Sequence, residues 1–422
     1  MSDTITSAAV PAADAQAEGA GLGAYAGRYI ARVRGGEMGA LPALIGLVGL
    51  VIFFSAVRPR FLTALNFANL FQQGAAVTVI AMGLIFVLLL GEIDLSAGYT
   101  SGVCAAILAV LLTNHGWPWY LSILAAIVTG VIIGTTLGSL VALVGIPSFV
   151  VTLAAFLAFQ GVSLVIVSNG KNITVDDPTI LRIDSSGKLP VAVGWALFAI
   201  TVLAYLGVQL LQRGRRVSKG LSSDPITVIA FRVVGLAVIL GAAVYVLNLE
   251  RSLNPAFRSQ KGVPVIVLII GILLVVWSFI LGRTAYGRHI YAVGGNREAA
   301  RRAGINVNAI RISVFVICSG IAALGGIIAA SRANSVDPNT GGSNVLLYAV
   351  GAAVIGGTSL FGGKGRIRDA VLGGAVVAVI DNGMGLMGYS SGVKFIVTGL
   401  VLLLAAGVDA LSRRRATTAG LR

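Results

Sequence analysis

The feature that most constrains this chain is the length of its uncharged apolar runs. Residues 119–144, WYLSILAAIVTGVIIGTTLGSLVALV, carry no charge, and neither does the stretch from Val77 to Leu90. A hydrocarbon core about 30 Å thick is crossed by roughly 20 apolar residues in a helix. In lipid each backbone N–H and C=O must be paired inside the spanning element, so only helices and closed barrels qualify. Barrel strands alternate apolar and polar residues over about 10 positions, whereas these runs are continuous. The expectation is an all-α, polytopic transmembrane helix bundle. Composition agrees, with 57% hydrophobic and 11% charged residues, against about 25% charged in soluble domains. The 55 glycines suit helices whose backbones approach closely in lipid.

The length rule gives about twelve spans, near 41–57, 70–91, 95–113, 119–144, 147–169, 191–212, 227–248, 264–282, 312–330, 346–362, 369–388 and 392–410. The first 40 residues are Ala-rich, weakly acidic and aperiodic, without the basic start and cleavage box of a signal peptide. They are expected to form a disordered cytoplasmic tail, and 413–422 a short basic one. Threaded with both termini inside, the cytoplasmic segments hold twenty Lys and Arg residues and the outside segments nine, as the positive-inside rule requires. The net charge of +15 is therefore spread over loops beside spans, which excludes a nucleic-acid reading. Cys104 and Cys318 lie in separate apolar runs, and nothing in their spacing supports a disulfide. With only His115 and His289 as histidines, no Ser/His/acid constellation or metal-ligand spacing occurs. No enzyme activity, cofactor or metal site is expected.

The longest cytoplasmic segment is GRTAYGRHIYAVGGNREAARRAGINVNAIR, 282–311. Asn296 is a good N-cap, Glu298 lies in the first turn where the helix dipole favours an anion, and Gly304 suits a left-handed close. A two-turn helix over 297–303 is predicted outside the bilayer, with Ala299, Ala300 and Ala303 as a small-residue face and Arg297, Arg301 and Arg302 as a basic one. Isolated helices shorter than about 12 residues rarely hold in water. This one needs a surface, either its own bundle or another subunit.

The run YGRHIYAVGGNREAARRAGINV is followed by AAVIGGTSLFGGKG (352–365) and IDNGMGLMG (380–388). It is preceded by NFANLFQQGAAVTVIAMGLIFVLLLGEIDLSAG (66–98) and IPSFVVTLAAFLAFQGVSL (146–164). Together these resemble, in family order and over nearly all of 40–412, the permease subunit of ATP-binding-cassette sugar importers, the group of ribose, galactose and xylose permeases. Within that group the xylose type is the most similar. GEIDLS, with Glu92, resembles its form of a motif that reads Gly-Gly-Ile-Asp in ribose-type members, and the extra span pair near 191–248 resembles its longer chain. Removing that pair leaves the ten spans of the family core. Where many members carry Glu-Leu-Asp-Ala before the VIGGTSL stretch, this chain has Leu346 and Tyr348 in the acidic positions.

The resemblance implies a homodimer of permease copies in a bacterial inner membrane, a separate cassette ATPase inside and a soluble periplasmic or extracellular sugar-binding protein outside. The 297–303 helix, with Asn296, Arg297, Glu298, Arg301, Arg302 and Gly304, would be the coupling element that docks on the ATPase. An ATPase in the same chain would need G-x-x-x-x-G-K-[ST]. In GTSLFGGKGR, Lys364 is followed by Gly365, so the hydroxyl that would hold Mg²⁺ is missing. The implied cargo is a neutral monosaccharide, with xylose favoured. The alternatives are an amino-acid or other small-solute permease of the same architecture, and an ion-coupled secondary transporter with acids on broken helices at the midplane.

Candidate pathway residues are the polar groups within or beside spans: Gln72, Gln73, Glu92, Asp94, Gln160, Asp381 and Asn382. An ionisable residue in such a place is costly and is a functional candidate by default. Asp94 is placed to cap the third span by accepting from the amides of Ser96 or Ala97; the other reading is that it accepts a sugar hydroxyl. Glu92 has no capping duty and is expected to pair with a basic loop residue such as Lys364 or Arg366. For Gln72, Gln73, Gln160 and Asn382, interhelical hydrogen bonding competes with pathway lining. Asp381, a lone acid deep in the eleventh span, is expected to face the bundle interior. Arg232 lies near a cytoplasmic end and can snorkel.

Overall fold

The computed structural model describes residue 27 and residues 39–167, 171–221, 223–252, 254 and 259–418. The tail expected over 1–40 falls outside the described residues except for 27, 39 and 40, as does the basic end beyond 418. In chain order the helices are α1 (Leu41–Val57), α2 (Ala64–Leu89), α3 (Ala97–Asn114), α4 (Trp119–Val144), α5 (Ser148–Ile166), α6 (Pro178–Asp184), α7 (Val191–Val217) and α8 (Ile226–Asn248). There follow α9 (Val265–Arg283), α10 (Ala285–Gly295), α11 (Arg297–Arg302), α12 (Val307–Ala333), α13 (Ser343–Ile355), α14 (Ile367–Leu386) and α15 (Ser391–Thr418). Among the described residues nine helices (α2, α3, α4, α5, α7, α8, α9, α12 and α14) are long and apolar enough to cross a membrane. Shorter apolar helices cover Leu41–Val57, Asn344–Ile355 and Ser391–Leu404. The chain is an all-α membrane bundle.

The core forms around α2 and α12. Every residue of α2 from Thr78 to Leu89 is buried, which fits a helix that is apolar all round. α12 packs on α2, α3 and α4. The contact with α4 is set by Gly130, Gly134 and Gly138, spaced four apart on one face. A Cβ at these positions would lie 2.7 Å from the Ser319 carbonyl oxygen, 2.5 Å from that of Phe315 and 2.9 Å from the Ile312 Cα, respectively. Small residues every fourth position let two helix backbones touch where lipid supplies no hydrophobic drive.

α7 and α8 pack on each other, and α8 reaches α2. Only 6% of the most apolar window of α7 is buried, so this hairpin lies at the periphery.

Several boundaries differ from the sequence reading: α2 begins six residues before the expected 70, α7 runs five residues past the expected 212, and α15 continues to Thr418, into the expected basic tail. The span expected over 346–362 ends at Ile355, because Gly357 adopts a left-handed φ of +117°. The 283–311 segment holds two helices, the unforeseen α10 and then α11, because the Thr284 hydroxyl accepts the Gly287 amide and starts a helix there. α12 begins five residues before the expected 312, since Asn306 caps it by accepting from Ala309 N at 3.0 Å.

At one end of the bundle lie α10, α11 and the turn between α2 and α3. At the opposite end Ile173–Thr174 (β1) pairs antiparallel with Ser335–Val336 (β2), beside α6.

Candidate transport site and coupling junction

The turn between α2 and α3 answers why GEIDLS follows a greasy run. Gly91, at φ +71°, reverses the chain after Leu90 and presents Glu92, which is 5% exposed. Glu92 Oε1 accepts from the Arg297 guanidinium at 2.7 Å and from Arg311 at 2.8 and 3.0 Å. Arg297 also donates to the Leu90 carbonyl at 3.2 Å. The expected partners, Lys364 and Arg366, are therefore corrected to Arg297 and Arg311. Both expected residues are exposed, and their loop meets the turn through backbone instead. Gly363 N donates to the Leu89 carbonyl at 2.8 Å, and the Tyr291 hydroxyl to the Gly365 carbonyl at 2.7 Å. The close approach of α10 to α2 requires glycine at 294, where a Cβ would stand 1.9 Å from the Leu89 carbonyl oxygen.

Beyond Glu92 the chain climbs back into the bundle. Ile93 N donates to Ser148 Oγ at 3.3 Å, and Thr152 Oγ1 donates to the Ile93 carbonyl at 3.2 Å. Both partners belong to the start of α5. Asp94 is 1% exposed and its Oδ1 accepts from Ser96 N at 2.9 Å and Ser96 Oγ at 2.6 Å. The Asp94 carboxylate also meets the Cys318 thiol of α12. Asp94 closes the turn that leads into α3, while Ser96 occupies the N-cap position itself.

Glu92 meets α12 at Arg311 and Asp94 meets it at Cys318, about 10 Å deeper at 1.5 Å per residue. From the other end the loop 337–342 comes down to the same level. A Cβ at Gly102 would lie 1.9 Å from the Thr340 carbonyl oxygen, and one at Gly98 2.7 Å from that of Gly341. Two helices, α3 and α13, thus start where segments from the two ends meet.

The remaining polar candidates separate into pairs. Asn382 and Asn66 exchange two amide hydrogen bonds of 2.9 Å, and Asn382 also donates to Gln73 at 3.0 Å. Gln72 donates to the Asp184 carbonyl, and at 3.4 Å to that of Ser185. It lines a cleft of about 260 Å³ at the β1–β2 end, with Asn69, Lys188, Arg251 and Arg332. Gln160 meets the hydroxyl of Tyr99, whose ring stacks edge-on against Phe156 at 4.9 Å. Asp381 is not a lone interior acid: it pairs with Lys394 of α15 at 3.1 Å and its side chain is 40% exposed. The correction has a simple cause, because a nearby ammonium removes the cost that would have forced Asp381 inward.

In the α11 segment Asn296 accepts from Ala299 N at 2.9 Å, and Gly304 closes the helix at φ +82°. Ala300 is buried in the main core. On the solvent side Glu298 pairs with Arg301 at 2.9 Å and Arg302 at 3.4 Å. The Arg301 hydrogen bond and charge hold the Glu298 carboxyl below its ordinary range. Arg297 points the other way, into the Glu92 junction. The residues that sequence reasoning missed are Arg311, Asn66, Tyr291, Ser148 and Thr152. For Asn66 a signal existed, an amide within one to two turns of Asn69, Gln72 and Gln73 at the start of an apolar run; for Arg311 none did, since its partner is 219 residues away.

Nine membrane-length helices among the described residues, with a short capped helix held at one end of the bundle, define a multi-pass membrane protein. The chain belongs to the family described as branched-chain amino acid transport system / permease component, whose model matches residues 66–406. It is 37% identical, over 88% of its length and 92% of the relative's, to the xylose transport system permease protein of Escherichia coli (strain K12). It is 33% identical to the xylose transport system permease protein of Haemophilus influenzae, over 88% and 96% of the two chains. It is 32% identical to the ribose import permease protein of Escherichia coli (strain K12), over 87% and 92%. No solved structure matches.

Proposed function

We propose that the chain is the membrane-spanning permease of an ATP-binding-cassette importer that carries a neutral monosaccharide, xylose in first place, across a bacterial inner membrane. The observation that carries this reading is the coverage: 374 aligned residues, 88% of this chain, match a xylose permease at 37% identity. The two ends of the bundle then take different partners. The end with α10, α11 and the Glu92 junction faces the cytoplasm and a cassette ATPase, and the opposite end receives sugar from a binding protein. The working unit is a homodimer. Gln160 and the meeting of α3 with the 337–342 loop lie along the translocation pathway, Asp94 shapes the turn that leads into α3, and Gln73 and Asn382 serve helix–helix cohesion.

A second reading, an amino-acid permease, is favoured by the description of the matched family alone. Radiolabelled uptake by the reconstituted transporter with its own ATPase and binding protein separates the two. Xylose is expected to outcompete ribose, galactose and amino acids; competition by an amino acid alone would overturn the sugar reading. For the docking of α11, Arg301→Glu is expected to lower transport at least tenfold while membrane insertion is retained. The change places two acids on a solvent-facing helix whose Arg301 is 71% exposed. Wild-type transport in that variant would remove Arg301 from the ATPase contact.

A further inference from the structure

The charge junction at Glu92 joins three parts of the chain. Arg297 is the first residue of α11, Arg311 lies one turn into α12, and Glu92 sits in the turn between α2 and α3. Both guanidiniums land on a single oxygen, Oε1. Glu92 is nearly buried, whereas the side chain of Arg297 is 46% exposed and that of Arg311 16%. The acid is thus the fixed centre and Arg297 the arm that reaches outward.

α11 has six residues and cannot hold its place by helix propensity. Its anchors are the buried Ala300, the covalent paths through Asn296 into α10 and through Gly304 into α12, and Arg297 on Glu92 and on the Leu90 carbonyl. Ala300 fixes depth without direction. The covalent paths reach the turn at second hand, by the packing of Gly294 on the Leu89 carbonyl and by Arg311 on Glu92. Arg297 is the side chain of α11 that bonds the turn directly, and through Ile93 that turn is bonded to Ser148 and Thr152 of α5. Through Asp94 and Ser96 it leads directly to the start of α3. A push on α11 therefore reaches the start of α3 through Glu92, with Gly91 as the left-handed pivot.

We propose that Glu92 is the positioning residue of the transport cycle: it transmits displacement of α11 to the α2–α3 turn, and so couples ATP hydrolysis to opening of the pathway at α3. This rests on the importer reading above, but not on which solute is carried. The complete transporter, with ATPase and loaded binding protein in proteoliposomes, gives the test as ATP hydrolysed per solute molecule taken up. Glu92→Gln keeps the size of the side chain and removes its charge. The ratio is expected to rise at least tenfold, with ATPase still bound on size exclusion. Arg297→Gln and Arg311→Gln, each of which leaves one ion pair, are expected to give intermediate ratios. A residue that only supports the fold would lower the amount of active complex and leave the ratio alone, so an unchanged ratio in Glu92→Gln overturns the proposal. If Glu92→Gln fails to assemble, unchanged ratios in both arginine variants overturn it. Failure of the importer reading shows separately, as a wild-type complex whose ATPase the loaded binding protein does not stimulate.

Discussion

Two carboxylates stand two residues apart in the α2–α3 turn and are treated in opposite ways. Glu92 spends one oxygen on two arginines drawn from segments 205 and 219 residues away. Asp94 takes two hydrogen bonds from its own neighbour, Ser96, and touches the rest of the bundle at the neutral Cys318 thiol of α12. A buried charge held by distant segments becomes a link between them, and removing one partner leaves an uncompensated charge, which is strongly destabilising. A carboxylate held by a local turn fixes only that turn. The difference assigns long-range mechanics to Glu92 and local geometry to Asp94.

The largest effect is expected where the junction has no room to adjust. Gly294→Val places a Cβ 1.9 Å from the Leu89 carbonyl oxygen, and backbone lies on both sides of the clash. Overpacking of this kind costs typically 1–3 kcal/mol or more, and here the only relief is to separate α10 from α2. Gly295 faces open space, so Gly295→Val is the matched control. Gly294→Val should give little monodisperse permease on size exclusion and Gly295→Val near wild-type yield. Equal yields would mean that the α10 contact does not support the Glu92 junction.

A third carboxylate extends the comparison to the opposite end. Asp184, at the end of α6, is 1% exposed and both its oxygens lack hydrogen-bond partners. Burial raises its pKa from 3.8 to about 7, and the charge of Arg332 offsets part of the rise. Between those values the folded protein keeps a proton that the unfolded chain has released, so it is the folded state that binds more protons. Stability accordingly falls as pH rises from about 4 to about 7, by at most about 1.4 kcal/mol per pH unit. Thermal unfolding in detergent should show a lower Tm at pH 8 than at pH 5. Asp184→Asn should reduce that difference and melt higher than wild type at pH 8. An unaltered pH profile in the variant would mean that Asp184 is ionised in the folded state.

How much of this was legible beforehand depends on the range of each interaction. The spans were read from apolar runs, because lipid imposes length and polarity on each segment independently. The Asn296 cap and the Gly304 close lie within one turn of the helix they bound, so local sequence states them. α10 was missed because AYGRHIYAVGG has three glycines and a modest apolar face, and its helix is held by the fit of Gly294 against α2. The partners of Glu92 and Asp381 were not legible for a similar reason. Each lies on a different helix, and choosing Arg297 and Arg311 over Lys364 and Arg366 requires knowing which backbone turns bring them within 3 Å. The meeting of the starts of α3 and α13 was equally hidden, since both runs read as ordinary spans.

The smallest effect should come from Asp94→Asn, and it is the one that most sharpens the contrast with Glu92. The amide retains a carbonyl oxygen where Oδ1 accepts from Ser96 N and Oγ, so the turn into α3 keeps both bonds. Asn and Asp are about equally good at such turn and cap positions. The rest of the carboxylate meets only the Cys318 thiol, a weak donor and weak acceptor, so the NH₂ of the amide displaces no strong hydrogen bond and a charge is removed from the bundle. Uptake in the reconstituted transporter should stay within about twofold of wild type, a change of roughly 0.4 kcal/mol or less in the barrier. Loss of uptake with normal assembly and an unchanged ATP-to-solute ratio would move Asp94 from the turn to the solute. A rise in that ratio equal to that of Glu92→Gln would instead mean that the two carboxylates work as one unit, and the division drawn between them would fail.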